Sequence, residues 1–362
     1  MLATDRFRLA RRCNVRVGTK KPSVAVTKGT PVLKPNDVYV TGSGSAFGAR
    51  IVPSEEVDRA YGMPEGKLKN RAGIVSVSYA GENEDESSLG AQAAQQVLQE
   101  CDEDAADLDW VLAASETHHA FPSLAAILHA RLGVREKCSS LDVGSGCVAL
   151  VQALAVGQSL LEAGKAKKVL VVTADLHSRA LAPGRAQGEF GGLFGDGASA
   201  FLLSTVLPAA GRLAYRLGEF IFGCATQYSE AIRVSNPGDG PLDVHFDGEG
   251  LSRAAVNRMV KVLEEIQQRS GICRAAVGAF ATHQPNPRLV TLLAKQMGVP
   301  VSAFPLIAAT RGNLGSSTCG AALDAAMQKA SQQPAEERKP LFLASLGPGL
   351  LFGGGWMVPA EA

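Results

Sequence analysis

The residue best suited to covalent chemistry is Cys147, which lies in the motif GSGC at the start of a long apolar segment. A segment of alternating polarity with Leu141 and Val143 precedes it, and Gly164 follows the apolar segment. This pattern predicts a strand, a sharp turn and a helix. Because a thiol in the first helical turn lies near unpaired N–H groups, we expect a lowered pKa and a nucleophilic Cys147 thiolate. The alternative is a buried structural cysteine.

Two other polar residues lie at predicted strand or helix ends. His283 follows the apolar segment 276–282, and Asn313 lies in a glycine turn before the predicted helix 316–330. Each has a simpler interpretation, a core histidine and ordinary turn chemistry. The adjacent His118 and His119 diverge and lack a third ligand at zinc spacing, so no metal site is predicted.

Composition narrows the function classes. With 46% apolar and 20% charged residues, the 362-residue chain is typical of a soluble globular protein. A net charge of +1 argues against a large nucleic-acid interface. The seven scattered cysteines predict neither a disulfide framework nor a zinc cluster, and they favour a reducing compartment, the cytoplasm. Apolar segments are too short for a membrane span.

Strands that alternate with helices predict an α/β fold. The strand–turn–helix pattern around Cys147 has a counterpart near Asn313, which predicts two similar halves, 38–208 and 209–362. Before them, residues 1–37 form a basic extension: positions 1–36 hold nine Lys or Arg and one acid, Asp5. This extension is interpreted as disordered or loosely attached, with a targeting segment or docking arm as alternatives.

Six motifs in this order, THHAFPS, GSGC, LFGDGAS, ATHQPNPRL, TRGNLGSST and GPGLLFGG, resemble the ketoacyl-ACP synthase III group of the thiolase superfamily. The resemblance covers about residues 38–358 and implies a layered αβαβα core. It also implies acyl transfer from a thioester to Cys147, followed by decarboxylative condensation with a malonyl thioester. His283 and Asn313 would donate hydrogen bonds to the enolate oxygen. No cofactor is implied.

The resemblance also implies binding residues and partners. A second oxyanion hole would use the Cys147 N–H and Gly347 or Gly349, since Pro348 has no N–H. The substrates would be acyl-CoA or acyl carrier protein thioesters, and the enzyme would be a homodimer without nucleic-acid or membrane partners. The implied substrate-binding residues are Arg71 for the CoA diphosphate, Phe121 for the partner's acyl tunnel (or ordinary core), Phe194 for the cysteine pocket and Arg288 for carrier docking.

Three departures from the family pattern indicate a specialised member, for example in a secondary-metabolite pathway. Lys67 replaces a Trp that stacks on adenine, which favours a carrier-protein substrate. Val148 follows the cysteine where small residues are usual, and could reshape the acyl pocket; Pro348 replaces a glycine. Two alternatives stay open: an acyltransferase that passes the acyl group to an alcohol, amine or thiol, and a catalytically silent dimer partner.

Overall fold

The computed structural model describes residues 37–209, 211–228, 230–235, 241–246 and 248–360. The predicted basic extension lies outside these residues except for its last position, Asp37. The strands are β1 (Tyr39–Phe47), β2 (Arg50–Pro53), β3 (Ser76–Tyr79), β4 (Trp110–Ala114), β5 (Ser139–Asp142), β6 (Lys168–Leu176), β7 (Asp196–Ser204), β8 (Ala214–Cys224), β9 (Ile232–Ser235), β10 (Asp243–Phe246), β11 (Ala279–Thr282), β12 (Leu341–Gly347) and β13 (Leu351–Ala360).

The α-helices are α1 (Ser54–Ala60), α2 (Glu86–Cys101), α3 (Leu124–Arg131), α4 (Ala149–Glu162), α5 (His177–Ala180), α6 (Gly188–Gly191), α7 (Gly248–Ser270), α8 (Pro287–Met297), α9 (Ala308–Arg311) and α10 (Ser316–Ser331). Local signals set several of their ends. The Asn286 side chain accepts a hydrogen bond from Leu289 N at 3.0 Å, Pro287 is the first residue of α8, and Gly298 ends it with φ 66°.

Nine strands form the central sheet of the described residues, in the order β11-β12-β13-β8-β1-β7-β6-β4-β5. β6 is parallel to β4 and antiparallel to β7, which is antiparallel to β1. β12 is likewise parallel to β11 and antiparallel to β13, which is antiparallel to β8. The same order and directions therefore occur twice, on either side of the antiparallel pair β1–β8. This repetition supports two similar halves, and their boundaries stay a proposal.

Three large apolar cores separate five layers. The first core packs α2 and α3 against one face of β4, β6 and β7. The second buries α4 and α10 between the strands of both repeats, and the third packs α7 and α8 against β12. The predicted layered αβαβα fold is confirmed by this arrangement. α4 and α10 are buried on most of their surface because sheet covers them on both sides.

The hairpin of β9 and β10 is an element that the sequence did not predict. Its segment is rich in glycine and proline and has no clear alternation. Among the described residues, no helix has the length and hydropathy that a bilayer crossing requires.

Candidate active site

Cys147 lies in a tight turn between β5 and α4. Gly146 adopts φ 57°, and a Cβ at this position would lie 3.2 Å from Pro348 Cδ. Cys147 itself belongs to a single 3-10 turn, Gly146–Val148, that leads into α4. The Ser345 hydroxyl donates a hydrogen bond to the Cys147 carbonyl at 2.5 Å. The turn is therefore fixed from both repeats, and the cysteine is 8% exposed.

Asn313 and His283 come from the second repeat. Asn313 Oδ1 accepts hydrogen bonds from Gly315 N at 3.0 Å and from the Thr318 hydroxyl at 3.1 Å. Because two donors occupy the oxygen, the amide NH2 group is the part of the side chain that is free to act as a donor. His283 follows β11 directly, and its Nδ1 is buried without a hydrogen-bond partner among the described residues.

The three side chains line one cavity of about 880 Å³. They come from sequence positions as much as 166 residues apart (313 − 147), and the fold brings them to one cavity. Part of the wall is apolar and is formed by residues of β9, α7 and α8 such as Ile232, Val256, Met259, Leu289 and Leu293. A cavity with one polar end and apolar walls can hold an acyl chain with its carbonyl at the cysteine.

A charged cluster that the sequence analysis missed lies in the same cavity. Glu116 follows β4 and His177 follows β6, and both line the cavity with Cys147. Glu116 Oε2 lies 3.5 Å from His177 Nε2. Asp175 holds this arrangement: its Oδ1 accepts a hydrogen bond from Glu116 N at 2.6 Å, and its Oδ2 accepts one from the Ser316 hydroxyl at 2.6 Å.

The strand order could have indicated Glu116. β4 lies between β5 and β6, and all three are parallel, so the residues after them meet at one edge of the sheet. The sequence shows an acid directly after the strand WVLAAS, but strand neighbours depend on tertiary pairing.

The electrostatics of the thiol differ from the expectation. Burial raises the pKa of Cys147 well above its ordinary value, and the negative charges of Glu116 and Asp175 add to the rise. The predicted lowered pKa is therefore wrong for this structure, because desolvation and two carboxylates outweigh the backbone N–H groups of the turn. The cysteine is held as a neutral thiol.

The pKa values of the two buried histidines are shifted in opposite directions. Burial lowers the pKa of His283 to about 4, so this imidazole is neutral at pH 7. Burial also opposes the charged form of His177, but its interactions with Glu116 and Asp175 more than compensate and raise its pKa. Burial likewise disfavours ionisation of Glu116, yet its interactions with His177, Cys147 and His283 lower its pKa. Asp175, with a pKa raised to about 6 by burial and by Glu116, completes the cluster.

The two predicted phenylalanines have different surroundings. Phe194 is 8% exposed, lines the cavity and stacks on His177 with ring centroids 4.5 Å apart. Phe121 is 97% exposed and does not line the cavity of its own chain. The ordinary-core alternative for Phe121 is therefore wrong.

The C-terminal loop brings one of its two glycines to the site. Gly347 lines the cavity, and a Cβ on it would lie 3.3 Å from Cys147 N. Gly349 is not among the lining residues. Val148 is fully buried behind the turn, against Gly353, and does not line the cavity, so the expected effect on the pocket wall is not direct.

The two predicted arginines lie on the surface and do not line the cavity. Arg288 Nη2 donates a hydrogen bond to the Asn70 carbonyl at 3.2 Å, which places it beside the turn that carries Arg71. Lys67, at the position of the missing Trp, forms an ion pair with Glu189. In the part of the chain that the structure describes, no group of three His, Cys, Asp or Glu is arranged to hold a metal ion.

Comparisons with known proteins give matches in both repeats. The family model for 3-oxoacyl-[acyl-carrier-protein] synthase III matches residues 141–219. A second model, for the C-terminal part of the same family, matches residues 267–357. The beta-ketoacyl-[acyl-carrier-protein] synthase III of Actinobacillus pleuropneumoniae is 27% identical over 319 residues, which cover 88% of this chain and 96% of that protein. The chain is a synthase III-like enzyme of the thiolase superfamily.

Solved structures show the same fold for this synthase III-like enzyme. The 3-oxoacyl-(acyl carrier protein) synthase III of Pseudomonas aeruginosa aligns with a TM-score of 0.79 at 22% identity, over 90% of this chain and 99% of that chain. The priming beta-ketosynthase of the R1128 polyketide pathway aligns with a TM-score of 0.80 at 23% identity, over 92% and 99%. The chain is thus an acyltransferase of the condensing type, EC 2.3.1, as the sequence predicted.

Proposed function

We propose that this enzyme transfers an acyl group from a thioester to Cys147 and then condenses it with a malonyl thioester in a decarboxylative Claisen reaction. The observation that carries the proposal is the meeting of Cys147, His283 and Asn313 in one cavity. A nucleophile and two neutral hydrogen-bond donors are the groups that both steps require.

In the first step, Cys147 Sγ attacks the thioester carbon. The oxygen that becomes negative would be stabilised by the Cys147 N–H together with the Gly347 N–H, since Pro348 has no N–H to offer. The short approach between Gly347 and Cys147 N supports this pairing. Gly349, which lies outside the cavity lining, is the weaker of the two predicted loop donors.

In the second step, the malonyl carboxylate leaves as CO2 and an enolate forms. His283 would donate a hydrogen bond to the enolate oxygen, and its lowered pKa supports this role because a neutral imidazole can donate without adding a charge. The Asn313 NH2 group would be the second donor, held by the two hydrogen bonds at its oxygen. The enolate carbon then attacks the Cys147 acyl carbon, which gives the 3-oxoacyl product.

The substrates would be thioesters of CoA or of an acyl carrier protein. Arg71 and Arg288 lie near each other on the surface, where they could interact with a diphosphate or an acidic carrier. The exposed Phe121 supports a homodimer in which this ring enters the partner's acyl channel. A location in the cytoplasm stays a prediction. So does a role in fatty-acid or specialised polyketide biosynthesis.

Intact-protein mass spectrometry tests the first step. We expect incubation with a panel of acyl-CoA and acyl carrier protein thioesters to add one acyl mass, which a Cys147→Ser variant does not acquire. Addition of a malonyl thioester should then release CO2 and a 3-oxoacyl product.

The other possible outcomes of this experiment would identify a different function. An acyl-enzyme that transfers its acyl group to an alcohol, amine or thiol without CO2 release would identify the acyltransferase alternative. A wild-type protein that acquires no acyl mass from any thioester would contradict the proposal and favour the silent dimer partner.

A further inference from the structure

The condensing scheme leaves one cavity group without a role. Glu116 lines the cavity beside Cys147, and its Oε1 is buried without a hydrogen-bond partner among the described residues. Burying a carboxylate oxygen without a partner costs free energy, so such a group needs a functional or structural explanation. It is not a helix cap or a surface ion pair, and its charge acts directly on the Cys147 thiol.

The surrounding contacts hold the Glu116 carboxylate in the cavity. Its backbone N–H is bound to Asp175, and its Oε2 faces His177 Nε2 at 3.5 Å, which leaves Oε1 for the cavity. A Cβ on Gly315 would lie 2.5 Å from His177 Cε1 and 3.0 Å from both Glu116 Cδ and Oε1, so a glycine is needed at this position for the Glu116–His177 pair to pack as it does. The titratable groups that face Glu116 are Cys147, His177, His283 and Asp175.

The charge states make a proton acceptor necessary. A thiol with a raised pKa is almost entirely protonated at pH 7, and only the thiolate is a good nucleophile. His283 is neutral, and in the proposed scheme its imidazole donates a hydrogen bond to the enolate oxygen of the second step. Glu116 is ionised, so its carboxylate can accept a proton, and His177 Nε2 lies 3.5 Å from its other oxygen, Oε2.

We propose that Glu116 is a catalytic residue that accepts the proton of the Cys147 thiol as the sulfur attacks the thioester. The S–H bond breaks, its electron pair forms the bond from sulfur to the acyl carbon, and the proton moves to the carboxylate. When the tetrahedral intermediate collapses, the leaving thiolate takes the same proton and departs as a free thiol. The inference rests on the proposed function, because it concerns the first step of that reaction. His177 acts through Glu116 and is a positioning residue.

A Glu116→Gln variant separates the proton-acceptor role from a purely electrostatic effect of the carboxylate, because the two predict opposite changes in the acylation rate. The glutamine keeps the shape but cannot accept the proton. If Glu116 is the acceptor, we expect acyl-enzyme formation at pH 7 to slow by roughly 100-fold or more. The difference in acylation rate between the variant and the wild type should decrease by about tenfold for each unit that the pH is raised, since thiolate then forms without a base.

If the carboxylate only raises the thiol pKa, its removal lowers that pKa, and acylation becomes faster at neutral pH. An acylation rate equal to or above that of the wild type would therefore overturn the inference. The exposed Glu136→Gln is the matched control and should acylate at the wild-type rate.

Chemical rescue keeps the test independent of folding. In a Glu116→Ala variant, added formate should restore part of the acylation rate, and equimolar chloride should not; a folded variant without rescue would count against the proton-acceptor role. The outcome is separable from that of the proposed function. Failure of the wild type to form any acyl-enzyme contradicts the function itself, whereas a wild-type acyl-enzyme with an equally fast Glu116→Gln contradicts only the role of Glu116.

Discussion

His177 and His283 lie in the same cavity, are both buried and have opposite pKa shifts. His177 comes from the first repeat and faces Glu116 and Asp175, whose charges favour the imidazolium. His283 comes from the second repeat, where desolvation dominates and the imidazole stays neutral. The comparison indicates that neighbouring side chains, rather than burial alone, decide the charge of a buried histidine.

The two walls of the cavity are therefore suited to different chemistry. The wall with Glu116 and His177 carries charge and can hold or move a proton. The wall with His283 and Asn313 is neutral and presents dipoles, which suits a developing enolate oxygen. Cys147 lines the same cavity; burial raises the pKa of its thiol, and the charged wall adds to the rise.

The largest expected effect comes from removing the His283 imidazole from the neutral wall. His283→Ala should slow decarboxylation of a malonyl thioester by roughly 100-fold or more, the scale for the loss of one oxyanion donor. Acylation of Cys147 should stay close to the wild-type rate, because it uses the other oxyanion hole. Single-turnover CO2 release and intact mass measure the two steps separately, and equal losses in both would contradict the division between the walls.

A stability measurement tests the charge state of His283 directly. Its folded pKa of about 4 lies below the ordinary 6.5, so the unfolded chain binds more protons between these values. Its contribution to the free energy of unfolding should therefore fall by about 3 kcal/mol as the pH falls from about 6.5 to 4. Urea denaturation at several pH values should show that the free energy of unfolding of His283→Asn falls less between pH 6.5 and 4 than that of the wild type.

The exposed His119→Asn is the control for that experiment and should keep the wild-type slope. His177 has the opposite sign: its raised pKa stabilises the fold at low pH, and this contribution is lost as the pH rises through the folded pKa. If the free energy of unfolding of His283→Asn fell with decreasing pH as much as that of the wild type, the His283 imidazole would not be held neutral.

A smaller effect sharpens the role of the Asn313 amide. Thr318→Val removes the hydroxyl that donates to Asn313 Oδ1, which loosens the amide by about 1 kcal/mol, roughly a fivefold decrease in the decarboxylation rate. Thr318→Ser keeps the hydroxyl and should retain most of the rate. The same decrease in both variants would assign the effect to packing.

The smallest expected effect concerns the charged wall. His177→Asn removes the main interaction that lowers the Glu116 pKa, so more of this carboxylate is protonated at mildly acidic pH. Acylation should slow only on the acid side of its pH profile and should be nearly unchanged at pH 8. A uniform decrease at all pH values would indicate a structural role for His177.

Local signals were sufficient for most elements. Asn286, Pro287 and Gly298 set the ends of α8, and the apolar segment 168–174 forms most of β6. The hairpin of β9 and β10 was missed because its residues pair with each other in a segment of weak alternation. Glu116 was missed because its partner His177 is 61 residues away (177 − 116).

The order of the motifs determined by itself the fold class, the family resemblance and the choice of Cys147, His283 and Asn313, because each depends on residue type and short spacing. Only the tertiary structure decided the protonation of the site. A pKa depends on the through-space distance to charges and on desolvation, and both are set when β4, β5 and β6 align their ends beneath the helices. For that reason the expected thiolate is a buried thiol, and a carboxylate without a motif lies beside it.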